Sequence, residues 1–199
     1  MTIETISQSN SSSQATSEFA TQSNSSVHRF WGAVKADAIA NGGELSIARS
    51  LRLCFMHPGF QLLLIHRIQG RMRLWGRSFS LPADVVLKLG TYLTSCHIYR
   101  DVQLGMGIHL PHATGIVIGK GTIIGDNVTI YQNVTLGRRT AGTSGCPELQ
   151  EGCTIYAGAQ ILGKVLVGRE TTVGGNSVVL ESLPEKAVAV GVPARILDR

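Results

Sequence analysis

A six-residue spacing of aliphatic side chains is the feature of this sequence that most restricts its fold. From Leu149 to Val179 every sixth residue is aliphatic, without a miss. An α-helix has a period of 3.6 residues and an alternating strand a period of two, so neither element produces this spacing. A six-residue period is typical of a solenoid in which three short segments make one triangular coil. The complete set is Ile98, Leu104, Leu110, Ile118, Ile124, Ile130, Leu136, Leu149, Ile155, Ile161, Val167, Val173 and Val179.

Two interruptions of the repeat separate this chain from a purely structural solenoid. Two extra residues lie between Leu110 and Ile118, and a longer loop lies between Leu136 and Leu149. Elsewhere glycine often follows the aliphatic residue, and a small or β-branched residue often stands two positions before it. The pattern predicts a left-handed parallel β-helix, an exception to the right-handed crossover rule. An inactive solenoid would have no reason to interrupt its repeat at these places.

The rest of the chain divides into two segments that lack the six-residue period. Residues 1–26 are rich in Ser, Thr, Gln and Asn, and this composition favours a disordered tail. Over residues 27–96 apolar side chains recur at intervals of three and four, which predicts helices. We therefore expect a mainly β protein, with a short α-helical region at 27–96 and a β-helix domain at 97–199.

Charge and cysteine content restrict the partners of the chain. The net charge of +5 is compatible with nucleic acid, an anionic membrane surface or an anionic cofactor. The arginines between Arg67 and Arg77 have no interleaved aromatic residues beyond Trp75, so we expect no nucleic-acid binding and a solvated face, with peripheral membrane association as the alternative. The four cysteines form no CxxC pair, and no apolar run reaches 18 residues, so we expect reduced thiols, no metal site and a cytoplasmic protein.

Five motifs between about Leu51 and Leu197 resemble the serine acetyltransferase branch of the hexapeptide-repeat acyltransferases. This region is about three quarters of the chain. The resemblance implies direct transfer of an acetyl group from acetyl-CoA to a hydroxyl. The motifs are His57-Pro58-Gly59-Phe60, His112-Ala113-Thr114-Gly115-Ile116-Val117-Ile118-Gly119, Gln132-Asn133-Val134-Thr135-Leu136-Gly137, Ala157-Gly158-Ala159 with Ile161-Leu162-Gly163, and Gly191-Val192-Pro193-Ala194-Arg195-Ile196.

His112 is the expected general base. O-acetylation requires a group that takes the proton of the attacking hydroxyl, and imidazole titrates near neutral pH. His112 lies in the two-residue expansion, where a bulging turn can push its ring out of the coil. The other histidines outside the repeat, His28, His57 and His66, are expected to be structural or surface groups.

The resemblance also implies the residues that bind acetyl-CoA and that orient the base. The pantetheine arm is expected to follow backbone groups at turns with small side chains, which selects Gly137, Ala157 and Gly175. Arg195 stands where the family places a cation for the nucleotide phosphates, although it could instead cap the end of the solenoid. An aspartate that orients the base in the family is replaced here by His97, so His97 or the nearby Asp101 is expected to hold the second ring nitrogen of His112.

Three departures from the family pattern concern the acceptor. Serine acetyltransferases have an Asp before the catalytic His and an Arg-His pair before the loop proline, where this chain has Pro111, Gly145 and Cys146. A zwitterionic acceptor requires paired charges. The Gly145-Cys146-Pro147 loop is similar to that of colanic-acid and capsular-polysaccharide O-acetyltransferases, so a sugar hydroxyl is the expected acceptor, with Pro111 and Cys146 beside it. Serine O-acetylation and an inactive solenoid that serves as an interaction module are the alternatives.

The last expectation is a homotrimer. The faces of a β-helix carry exposed side chains that three chains could bury around a threefold axis. The loop from Arg138 to Glu148 consists mainly of small residues that cannot form a core, so we expect it to extend outward and help to wall a site shared between subunits.

Overall fold

The computed structural model describes residues 28–43, 47–140 and 145–197, and of residues 47–51 only the backbone. The predicted tail at residues 1–26 lies outside the described residues. The chain divides into two compact units, residues 1–32 and residues 33–199. In the first unit the described residues 28–32 are helical.

Four α-helices precede the strands in the second unit. Pro58 occupies the first turn of α3, where its missing N–H is not needed. The helices are α1 (residues 33–40), α2 (Ile47–Met56), α3 (Pro58–Arg73) and α4 (Ser80–Thr94), with a short 3₁₀ helix at Arg77–Phe79. The sequence therefore predicted the helical region, and the first strand follows directly after it, at His97. None of the described helices is long and apolar enough to cross a membrane.

In the part of the chain that the structure describes, fourteen short strands follow the helices and wind into a three-sided parallel β-helix. They form three sheets, which we call A (β1-β3-β6-β9-β12), B (β2-β4-β7-β10) and C (β5-β8-β11-β13-β14). The strands are β1 (His97–Ile98), β2 (Gln103–Leu104), β3 (Val117–Ile118), β4 (Ile123–Ile124), β5 (Thr129–Ile130), β6 (Thr135–Gly137), β7 (Glu148–Leu149), β8 (Thr154–Ile155), β9 (Gln160–Leu162), β10 (Leu166–Val167), β11 (Thr172–Val173), β12 (Val178–Val179), β13 (Val188–Gly191) and β14 (Ala194–Ile196).

The predicted aliphatic positions line the inside of the β-helix. Parallel pairing stacks equivalent residues of successive coils, as where Ile118 pairs with Leu136 and Leu136 with Ile161. All thirteen positions are buried except Leu104, which is half-buried and packs against the core. Burial of each such side chain contributes roughly 1.5–3 kcal/mol, so the six-residue period is also the main stabilising feature of the domain.

The final strand departs from the parallel pattern. β14 folds back and pairs antiparallel with β13, with Val190 opposite Arg195. The Pro193-Ala194-Arg195 exit that the sequence indicated is therefore a short β-hairpin that covers the last edge of sheet C.

Candidate active site

The corner between sheets C and A positions the candidate base. Here the chain turns from a strand of sheet C to the next strand of sheet A, at residues 111–116, 131–134, 156–159 and 174–177. We call this column the C–A corner. Backbone hydrogen bonds join its successive turns: the N–H of Asn133 donates to Thr114, that of Gly158 to Gln132 and that of Asn176 to Ala157.

His112 lies exposed in the first full turn of this corner. Its neighbours in the turn are anchored, because Leu110 and Ala113 are both buried. The N–H of Thr114 donates to the carbonyl of His112 at 2.8 Å, which closes the bulge. The expanded repeat therefore pushes the ring outward as the sequence predicted, while its backbone is held on both sides.

The start of helix α3 abuts the segment 108–110 that leads to His112. A Cβ atom on Gly59 would collide with the carbonyl oxygen of Leu110 and lie 2.7 Å from its Cβ. Only glycine permits this approach. His57 is the N-cap of the helix, and its Nδ1 accepts a hydrogen bond from the N–H of Phe60 at 3.3 Å.

A buried polar network holds the same segment from its other side. Asp37 of α1 is 1% exposed and forms an ion pair with Arg67, with Nε and Oδ2 2.6 Å apart. Asp37 also accepts from the N–H of Ile108, and Asn41 accepts from the N–H of Leu110 and donates to the carbonyl of Ile108. The first coil has no preceding coil to pair with, so these side chains satisfy an edge that would otherwise be bare.

His57 and His109 lie near enough to His112 to interact with it electrostatically at this end of the corner. Burial, and then the nearby charge of His112, lowers the pKa of His57 below its ordinary value. Burial, followed by the charges of His57 and His112, likewise lowers the pKa of His109. Both neighbours therefore favour the neutral form beside the exposed His112. The expectation that His57 is a structural or surface group stays a prediction; the structure shows His57 as a helix N-cap near the candidate base.

Two tyrosines continue the corner below His112. The ring of Tyr131 lies 6.4 Å from that of His112 between centroids. Tyr156 stacks on Tyr131 at 5.0 Å, with 11° between the ring planes. Sequence reasoning missed these two residues, because each occupies an outward position that the six-residue pattern leaves unrestricted.

The predicted acetyl-CoA residues fall into two groups. Ala157 and Gly175 lie in the same C–A corner as His112, in adjacent turns. Gly137 ends β6 at the opposite side of sheet A, with open space beside its α-carbon. Arg195 lines a cleft of about 280 Å³ with Arg139 and residues 179–183 at the last coil. Within one chain, His112, Ala157 and Gly175 therefore lie along the same corner, whereas Gly137 and Arg195 lie elsewhere.

The structure does not bring His97 to His112. His97 lies in β1, with its ring 5.6 Å from that of Tyr99, and lines a cleft of about 440 Å³ beside α4. The alternative, Asp101, forms ion pairs with Arg73, Arg100 and Lys120. Neither side chain has a recorded contact with His112, so the predicted orienting role finds no geometric support within this chain.

Of the two residues predicted beside the acceptor, only one lies at the candidate base. Pro111 directly precedes His112 and is half-buried in the same turn. Cys146 lies at a different corner, between sheets A and B, where its thiol donates to the carbonyl of Lys120 at 2.7 Å. The loop from Arg138 to Glu148 was predicted to extend outward, and its residues 141–144 lie outside the described residues.

The site has the parts needed for proton transfer to or from a bound hydroxyl. It offers an exposed imidazole on a fixed turn, two further imidazoles with lowered pKa and an aromatic wall. Among the described residues, no carboxylate contacts any of these three imidazoles, and no group of three or more His, Cys, Asp or Glu side chains is placed to hold a metal ion.

Comparison with known proteins yields consistent similarities. No protein-family model matches the chain. Serine acetyltransferase of Helicobacter pylori (strain J99) is 36% identical over 146 residues, covering 72% of this chain and 84% of that protein. The chain spans between about half and two thirds of the length of several other curated serine acetyltransferases.

Solved structures show the same architecture. Soybean serine acetyltransferase complexed with serine superposes with a TM-score of 0.76 and 33% identity, covering 88% of this chain and 72% of that one. A serine acetyltransferase in complex with CoA superposes with a TM-score of 0.71 and 34% sequence identity. The match covers 90% of this chain and 73% of that one. This likeness confirms the predicted left-handed parallel β-helix with preceding helices.

Proposed function

Because this chain belongs to the serine acetyltransferase family of hexapeptide-repeat acyltransferases, we propose that it transfers the acetyl group of acetyl-CoA directly to a hydroxyl, with His112 as general base. The observation that carries the proposal is the alignment of an exposed His112 with Ala157 and Gly175 along one corner. A purely structural solenoid would need neither the bulge nor the polar network that fixes it.

The proposed reaction is a single displacement at the thioester. The imidazole of His112 takes the proton of the acceptor hydroxyl as its oxygen attacks the acetyl carbonyl carbon. The tetrahedral intermediate then collapses, the carbon–sulfur bond breaks, and the imidazolium returns its proton to the departing CoA sulfur. One ester forms and one thioester breaks, so no metal and no covalent enzyme intermediate are required.

Acetyl-CoA is proposed to lie along the C–A corner. Small residues at Ala157 and Gly175 leave the backbone of successive turns accessible to the pantetheine amides. Arg195, with Arg139 in the same cleft, offers two cations for the nucleotide phosphates. These arginines lie away from the C–A corner, so a neighbouring chain would bring them to the cofactor in the proposed trimer.

L-Serine is the acceptor that the relatives support best, since they carry the name serine acetyltransferase. A sugar hydroxyl is the second candidate, and a specific observation favours it. Among the described residues the three imidazoles have no carboxylate partner, and the thiol of Cys146 donates to the backbone carbonyl of Lys120. The ammonium group of serine would therefore lack the paired charge that a zwitterion requires.

Release of CoA from acetyl-CoA, followed with a thiol reagent, tests both candidates. L-Serine and neutral oligosaccharides are compared at equal hydroxyl concentration, with product identity checked by mass spectrometry. Turnover that saturates with L-serine supports the first candidate. Turnover only with oligosaccharides supports the second, and the absence of CoA binding and of turnover with every acceptor would overturn the proposed function.

A further inference from the structure

The two ring nitrogens of His57 have different surroundings, and only Nδ1 is used by the helix cap. As the N-cap of α3 it occupies an extended backbone conformation, and its Nδ1 accepts the hydrogen bond from Phe60. A nitrogen that accepts cannot carry the proton of a neutral imidazole. The remaining proton of the neutral ring is therefore fixed on Nε2, which presents an N–H donor.

The start of α3 lies in close contact with the segment that carries the candidate base. Gly59 presses against Leu110, two residues before His112. Pro58 restricts the backbone between His57 and Gly59. The ring of His57 is therefore held relative to the turn of His112 by packing on both sides, as a hydrogen-bond donor to a reacting group must be.

No described residue of the chain accepts a hydrogen bond from Nε2 of His57. Its side chain bonds to the N–H of Phe60 through Nδ1 and interacts electrostatically with His112 and His109. The ring is half-buried, so its donor is oriented but still accessible. A capping side chain alone would not need this placement, since Asn, Asp, Ser or Thr caps a helix better.

We propose that His57 is a second catalytic residue, whose Nε2–H donates a hydrogen bond to a substrate oxygen as the acetyl group is transferred beside His112. This inference rests on the proposed acetyltransferase function. It assigns His57 the opposite task to His112: one ring accepts the proton of the hydroxyl, and the other donates to oxygen without giving its proton away.

Two substitutions of His57 test the roles of its two ring nitrogens separately. In His57→Asn the amide oxygen takes the place of Nδ1 and preserves the cap, but no group replaces Nε2. In His57→Gln the amide nitrogen reaches the place of Nε2, whereas the cap is lost. The matched control is His28→Asn, which removes an exposed histidine outside the β-helix.

The measurements are kcat/KM for CoA release and the midpoint of thermal unfolding for each variant. We expect His57→Asn to keep the wild-type midpoint and lose about 10- to 100-fold in kcat/KM, mainly in kcat. His57→Gln should unfold at lower temperature yet keep more activity than His57→Asn. In wild-type protein labelled with ¹⁵N at histidine, the ring nitrogens of His57 should show the Nε2–H tautomer.

Full activity in His57→Asn, or an Nδ1–H tautomer, would overturn the assignment and leave His57 as a helix cap. Failure of the proposed function is a separate result, because the wild-type protein itself would then release no CoA with any acceptor.

Discussion

At the scale of one residue, burial of His66 makes the stability of the protein depend on pH. The ring is 7% exposed, and its Nε2 lies 3.3 Å from the carbonyl oxygen of Tyr99. Burial lowers the pKa of His66 to about 4. Between this value and the ordinary 6.5, the unfolded chain binds a proton at this position that the folded protein does not bind.

The free energy of unfolding should therefore depend on pH through His66. Its contribution is fully present above pH 6.5 and is lost progressively as the pH falls toward 4, by up to about 3 kcal/mol. His66→Gln keeps a donor for Tyr99 and cannot titrate. Urea unfolding at pH 7.5, 6.0 and 5.0 should show a smaller loss in the variant than in the wild type; equal losses would mean that His66 is protonated in the folded state.

At the scale of elements, the contact between α3 and the segment before His112 connects the helical region to the active site. Gly59 and Gly70 lie in the same helix. A Cβ atom at Gly59 would collide with Leu110, whereas one at Gly70 would meet nothing within 4 Å. The two positions therefore form a matched pair for testing this contact.

Gly59→Ala should destabilise the protein by roughly 1–3 kcal/mol, because the helix must shift away from Leu110. The same shift should lower the rate of CoA release in the fraction that remains folded. Gly70→Ala should instead stabilise the helix by roughly 0.5–1 kcal/mol and leave the rate unchanged. Thermal unfolding and the rate of CoA release should be measured for both variants. Equal stability and equal rates would show that the contact between Gly59 and Leu110 is not tight.

Elements also determine how much of this protein the sequence could predict. The six-residue period predicted the β-helix and thirteen of its inward positions, because each aliphatic residue repeats one local environment. The bulge at His112 could also be predicted, because two extra residues in the repeat indicate it locally. The roles of His57 and Asn41 could not be predicted, because they depend on contacts between residues far apart in the chain, such as Asn41 with Leu110. The orienting role of His97 stays a prediction, since a fixed offset in sequence does not give a ring orientation.

At the scale of the whole molecule, exposed apolar side chains agree with the expected assembly of several chains. One face of α4 exposes Leu81, Val85, Leu89 and Tyr92, by 73%, 50%, 55% and 73% respectively. The residues proposed to bind CoA also lie at separate corners of one β-helix. A neighbouring copy of the chain would both cover this apolar surface and complete the proposed CoA site.

The expected assembly is a homotrimer. Light scattering should give a mass of about three chains at concentrations where the enzyme turns over. A mass of six chains would mean that the helical region pairs two trimers. An active monomer would contradict a site shared between subunits.

The central claim is that His112 is the base, and its replacement tests that claim most directly. CoA release should be measured for wild type, His112→Ala and the control His28→Ala, with circular dichroism to check the β-helix. We predict that His112→Ala lowers turnover by about 10²- to 10⁴-fold with an unchanged spectrum, while His28→Ala remains near wild type. Near-normal turnover by a folded His112→Ala protein would contradict the account.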